Sequence, residues 1–220
     1  MLQPSTLKYL KDLKKNNNKP WFDKNRPTYD NAKEDFIALI DEMIPAISKF
    51  DPTVGELSGK SCIFRINRDI RFSKDKTPYK THLAASFKKD GKKMSDAGYY
   101  FHVEPGQSFI GGGCYMPLPE DLNKIRQEID YNFDEWKKII NNKTFKKYFP
   151  NGIEGTETLV RPPKGYDETN PAIEFLKMKG FFVTSDISDE MLLDKNSVKE
   201  LIKILEAIKP LTDFLNKAKE

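Results

Sequence analysis

Six Lys or Arg residues fall between Arg65 and His82, with only Asp69 and Asp75 beside them. The guanidinium fork matches phosphate and carboxylate oxygens two bonds at a time, and lysines add point charge. The expected chemistry is therefore recognition of a small anionic or phosphorylated ligand by Arg65, Arg68, Asp69, Arg71, Lys74, Lys76 and Tyr79. The same basic patch suits single-stranded nucleic acid, with Phe72, Tyr79 and Phe87 as rings on which bases stack. A third reading makes the segment a structural ion network. Arg68 falls on the apolar face of a predicted strand and needs a partner there, Asp75 or Glu104. Breaking such a pair, if buried, costs roughly 3–5 kcal/mol.

Proton transfer, if the chain is an enzyme at all, would fall to His82, His102 or Glu104. Strands over residues 82–88 and 97–104 pair as a hairpin centred near Lys92. That register sets His82 opposite His102, with Tyr100 and Glu104 on the same polar face and Leu83, Phe87, Phe101 and Val103 on the other. Arg65, Asn67, Asp69 and Arg71 can line that polar face. A two-residue turn at Pro105-Gly106 would put Gly111 opposite Tyr100 and Gly113 opposite Gly98, a floor free of side chains. No His or Cys pair has the short spacing of a zinc site, so no metal site is expected, and no cofactor is named. Gly111-Gly112-Gly113 lacks the Lys-Ser/Thr of a phosphate loop and marks a bulge or a close approach of strands.

Eleven Lys or Arg against three Asp give residues 60–93 a surplus of eight positive charges, whereas the whole chain carries only +4. A local anion site fits that asymmetry better than a generally basic surface. Hydrophobic residues are 38% of the 220 and charged residues 32%, enough for a core and against disorder. No apolar run approaches a membrane span, and the opening residues alternate Leu with Lys without a signal core. Cys62 and Cys114 form no CxxC pair and read as reduced core residues. A cytoplasmic chain without membrane contact is expected.

The elements that must hold this chemistry are those of an α+β domain over residues 1–220. Leu7, Leu10 and Leu13 give a helix over 5–15, capped by Ser5 or Thr6. Pro20 opens a helical turn with Trp21 and Phe22. Pro27 suits the first position of a long helix to about Phe50, bent at Pro45, with Tyr29, Phe36, Ile40, Ile44 and Ile47 as its stripe. Cys62, Phe64 and Ile66 alternate with polar residues as a strand does. Strands from His82, Gly98 and Gln107, with turns at Asp90-Gly91 and Pro105-Gly106, make an antiparallel meander with long helices packed on one face. One helix follows from Pro119 to about Phe149, a short one near Ile173–Lys177, a strand over Gly180–Thr184, and a closing helix from about Asn196, kinked at Pro210.

Read as a pattern, Arg65 to Tyr79 is RxxRDxRFxxxKxxY. It resembles the defining motif of a family of uncharacterised, mainly bacterial proteins grouped as a conserved domain of unknown function. Asn16-Asn17-Asn18-Lys19-Pro20-Trp21-Phe22 with Asn25-Arg26, the stretch Tyr99 to Pro105, Gly111-Gly112-Gly113 and Arg161 to Tyr166 are also similar to that family. The resemblance spans nearly the whole chain. It implies a single domain and marks Arg65, Arg68, Asp69, Arg71, Lys76 and Tyr79. It implies no reaction, substrate or cofactor.

Overall fold

The computed structural model describes residues 1–88 and 96–219. Four strands form one antiparallel sheet in the order β1-β2-β3-β4: Leu83–Phe87, Gly98–Val103, Ser108–Cys114 and Phe181–Ile187. This is the expected α+β meander. The Asp90-Gly91 turn falls outside the described residues. The chain divides into two compact units, each assembled from separate segments.

The first unit takes in Met1–Gly91, Tyr100–Ile110 and Asp186–Lys203. Its helices are α1 (Pro4–Lys15), α2 (Lys19–Lys24), α3 (Arg26–Ile47) and the single turn α4 (Gly59–Cys62). The leucine stripe of α1 and the aromatic and isoleucine stripe of α3 are buried, as their spacing predicts. Thr6 does not cap α1. Its hydroxyl donates to Asp35 of α3 at 2.5 Å, where Gln3 N–H also donates. Phe36 of α3 meets Phe101 of β2, ring centres 6.0 Å apart. A short helix α9 (Asp189–Leu193), with no signal of its own in the periodicity, ties the β2–β3 turn down: Asp189 accepts from Gly106 N–H at 2.9 Å and pairs with Lys11 at 3.2 Å.

The second unit holds Gly111–Ser185 and Ile204–Glu220, with Lys92–Tyr99. Where one helix was expected from 119 to 149 there are three: α5 (Pro119–Tyr131), α6 (Phe133–Ile140) and α7 (Lys143–Tyr148). Asn132 and Asn142 make the breaks. Asn142 accepts from Thr144 and Phe145 N–H at 2.8 and 3.3 Å, an alternative to continuing the helix. Trp136 is fully buried among Phe175, Phe181 and Phe214. The short α8 (Ile173–Leu176) and the long α10 (Ser197–Lys217), with Pro210 inside it, match expectation.

Gly111–Gly113 is a close approach of strands. A methyl group at Gly111 or Gly113 would lie 2.2 Å from a carbonyl oxygen of β4, and one at Gly112 2.7 Å from that of Gly98. No described helix is long and apolar enough to cross a membrane. Cys62 and Cys114 are buried, and neither forms a disulfide.

Candidate functional site

The cationic segment is a closed loop rather than a strand. Cys62 ends α4, whose first turn is fixed by a Ser58–Ser61 capping box. Beyond it Ile63 touches β1 through one bridge to Ala85, and the chain then leaves the sheet at Arg65. It returns at an antiparallel bridge between Asn67 and Tyr79. Arg68 N–H donates to Pro78 C=O at 2.9 Å and Lys80 N–H to Ile66 C=O at 2.8 Å on either side. The alternation over 62–69 thus belongs to two short pairings, one with β1 and one within the loop itself.

Asn17, in the turn between α1 and α2, clamps the returning limb. Its side chain donates to Tyr79 C=O at 2.8 Å and accepts from Tyr79 N–H at 3.0 Å, as a neighbouring strand would. The Tyr79 ring is 6% exposed and lies flat on Phe22, centres 4.0 Å apart. Tyr29 and Tyr9 extend this cluster, and the Arg26 guanidinium sits over Phe22 and Tyr29.

Inside the loop the cations divide by task. Arg68 reaches Asp75 and the Thr77 hydroxyl in short contacts, Thr77 C=O at 3.1 Å and Ser73 at 3.4 Å. Asp75 was one of its two expected partners; Glu104 lies elsewhere. Hydrogen bonds from Thr77 N–H, Arg68 and the Thr77 hydroxyl hold the Asp75 carboxyl below its usual range. Lys76 donates to Ile70 C=O at 2.9 Å. Because the Arg68 side chain is 25% exposed, its loss costs less than that of a buried pair. Arg68→Ala is expected to destabilise the chain by about 1–3 kcal/mol, mostly through the Thr77 C=O and the Asp75 carboxylate losing their guanidinium and through an opened loop. Urea unfolding of this variant against Arg68→Lys checks it, and a loss below about 0.5 kcal/mol would show the loop to hold without the fork.

Arg65, Arg71 and Lys74 face outward. Arg71 grips Asp69 through Nε and Nη2 at 3.0 and 2.7 Å and lies 5.8 Å from the centre of Phe72, which is 95% exposed. The Asp69 carboxyl is lowered chiefly by the Arg71 side chain, with Arg65 adding to it. Arg65 and Lys74 are exposed and make no hydrogen bond or ion pair among the described residues. Of the three rings assigned to base stacking, Tyr79 and Phe87 are core and only Phe72 is available.

His82, Tyr100, His102 and Glu104 do meet, as the hairpin register requires. The two imidazole centres are 4.1 Å apart, and Phe109 lies flat against His102 at 4.7 Å. That ring, not a glycine floor, is what β3 places beside the histidines. Phe64 is 6.1 Å from Tyr100 and carries Lys80 over its ring at 5.3 Å. Ser108 fixes the Glu104 backbone, accepting its N–H at 3.0 Å and donating to its C=O at 2.9 Å. Glu104 Oε1 accepts from Lys14 at 3.1 Å and Thr81 at 3.0 Å, and Oε2 lies 3.4 Å from His102 Nε2. Tyr100 Oη is 3.4 Å from His102 Nδ1.

Burial, the His102 charge and Lys80 push His82 down to about 4. Burial also lowers His102, although Glu104 opposes it. Burial alone would raise Glu104, but bonds from Lys14, Thr81 and His102 outweigh it and hold the carboxyl low. At neutral pH the site is two uncharged imidazoles beside one carboxylate, a set of bases rather than acids.

Sequence reasoning passed over Lys14, Asn17 and Thr81, which reach the site from outside the sheet. The AsnAsnAsn run ending α1 was the one visible trace of Asn17. Arg126 of α5 was also missed. It is buried in the second unit, where Met178 C=O is its hydrogen-bond acceptor at 3.1 Å. A model of a family described as conserved hypothetical protein, DUF2461, matches residues 5–214. No curated protein and no solved structure matches the chain.

Proposed function

The chain belongs to the conserved hypothetical protein family DUF2461, whose match contains the loop, its Asn17 clamp and the His–Glu cluster together, and from that premise we propose that it binds a small anionic, phosphorylated ligand on the loop. One observation carries this reading. Arg65 and Lys74 stand exposed with no hydrogen bond or ion pair among the described residues, on a loop whose two limbs are fixed by Asn17, Tyr79 and Arg68. A loop held this way loses little further freedom when an anion arrives. Arg71 keeps Nη1 clear of Asp69, and an exposed pair of that kind yields readily to a phosphate. The uncharged His82 and His102 and the ionised Glu104 would serve as bases if the ligand is turned over. Cytoplasmic placement is part of the same proposal.

Calorimetry with inorganic phosphate, nucleotides and sugar phosphates tests it. A selective hit is expected, weakened about 10–100-fold in Arg65→Gln/Lys74→Gln, as loss of charge-assisted hydrogen bonds implies. Unchanged affinity in that folded double variant would sink the loop as the binding site. The exposure of Phe72 under Arg71 favours one second reading, single-stranded nucleic acid. Under it Phe72→Ala weakens oligonucleotide binding by about 1–3 kcal/mol and affinity falls steeply with salt. Under the small-anion reading Phe72→Ala changes nothing.

A further inference from the structure

We propose that His82, His102 and Glu104 form a site for a divalent transition-metal ion, with zinc the ion of best fit. Among the described residues this is the one group of His, Cys, Asp or Glu side chains whose donor atoms converge: all three lie within 4.8 Å of one another. Two imidazoles and one carboxylate are a donor set that first-row divalent ions take up.

The spacing distinguishes a metal shell from a plain histidine–glutamate pair. His102 is 9% exposed, yet neither of its ring nitrogens has a partner at normal hydrogen-bond length. Nε2 to Glu104 Oε2 and Nδ1 to Tyr100 Oη are both 3.4 Å, where an N–H to oxygen bond prefers about 2.7–3.2 Å. Two ligands each about 2.0–2.2 Å from a tetrahedral ion are about 3.3–3.5 Å apart; the Nε2–Oε2 gap matches that edge, and the 4.8 Å spread of all three donors is wider, so an ion would draw them together on binding. The surroundings assign the remaining valences. With the Nδ1 proton directed to Tyr100, Nε2 presents its lone pair to the ion, the arrangement metal-bound histidines favour. Glu104 Oε1 is taken up by Lys14 and Thr81, which leaves Oε2 for the metal. Phe109 covers one face of the His102 ring and restrains its rotation.

Three protein donors leave at least one position open, as in catalytic rather than structural zinc sites. Lys14 on Glu104 and the nearby Lys80 favour an anion, hydroxide or a ligand oxygen, as the group completing the shell. The inference stands apart from the cationic loop and would survive its failure.

Titration of the chelator-stripped chain with ZnCl2, in competition with a chromophoric chelator, tests the site. One zinc per chain is expected, weakened at least about 100-fold in His82→Ala and in Glu104→Gln, beyond what loss of an outer-shell partner does. Co2+ in place of Zn2+ should give the visible bands of a four- or five-coordinate nitrogen–oxygen site, lost in both variants. Circular dichroism confirms their folds, and His82→Gln replaces His82→Ala should the latter unfold. Absence of stoichiometric uptake overturns the proposal, and so does zinc binding or a cobalt spectrum that persists in the folded variants.

Discussion

A chain carrying Gly113→Ala is expected to lose about 3–5 kcal/mol of stability, the sum of a strained backbone and an overfilled site. Gly113 has φ +123, a conformation side chains rarely adopt. The added methyl would meet Phe181 C=O at 2.2 Å and Phe182 Cα at 2.7 Å. Both obstacles are backbone, so no rotamer change relieves them, and β4 would have to draw away from β3. Gly106→Ala is the control. Gly106 also has positive φ, +75, but nothing lies within 4 Å of the added carbon. Its cost should be the backbone term alone, about 1 kcal/mol. Urea unfolding of both variants separates the terms. Equal losses would mean that β4 yields freely and that the glycine run is not required for strand approach.

The second large effect belongs to Tyr79. Removing its buried ring in Tyr79→Ala is expected to cost about 3–5 kcal/mol, because Phe22 loses its stacked neighbour. The hydroxyl forms no hydrogen bond among the described residues, so Tyr79→Phe should stay within about 1 kcal/mol of the parent. The alanine variant should also speed hydrogen exchange at the amides of Arg68 and Lys80, which close the loop. Phe72→Ala, seven residues earlier on the same loop, should leave stability within about 0.5 kcal/mol. A stable Tyr79→Ala with protected loop amides would show that Asn17 and Arg68 hold the loop unaided.

Much of this was legible because the informative relations are local or periodic. The stripes of α1 and α3 announce themselves at helical spacing, and Pro27 marks the start of the second. The meeting of His82 with His102 follows from a period of two and one hairpin centre. Asp75, seven residues from Arg68, lies near enough along the chain to be named as its partner. What escaped lies at long range or in competition between equal local tendencies. Lys14 and Glu104 are 90 residues apart, and no pattern near either points to the other. Residues 62–69 alternate like a strand, yet a capping box at Ser58 and the loop closure at Asn67 divide them. In 119–149 the apolar period runs on across Asn132 and Asn142, but both residues leave the helical backbone conformation, and the Asn142 side chain satisfies the next helix's first N–H groups.

The Asn17 clamp has a consequence for timing. Sixty-two residues separate it from Tyr79, and closing so long a stretch of chain is slow compared with forming a helix or a hairpin. The sheet hairpin and α1 can each form early from neighbours in sequence. The cationic loop cannot take its final shape until the α1–α2 turn has docked. On that ground it is expected among the last parts of the first unit to mature, and under the proposed function an anion that requires the finished loop would distinguish completed molecules from those still folding.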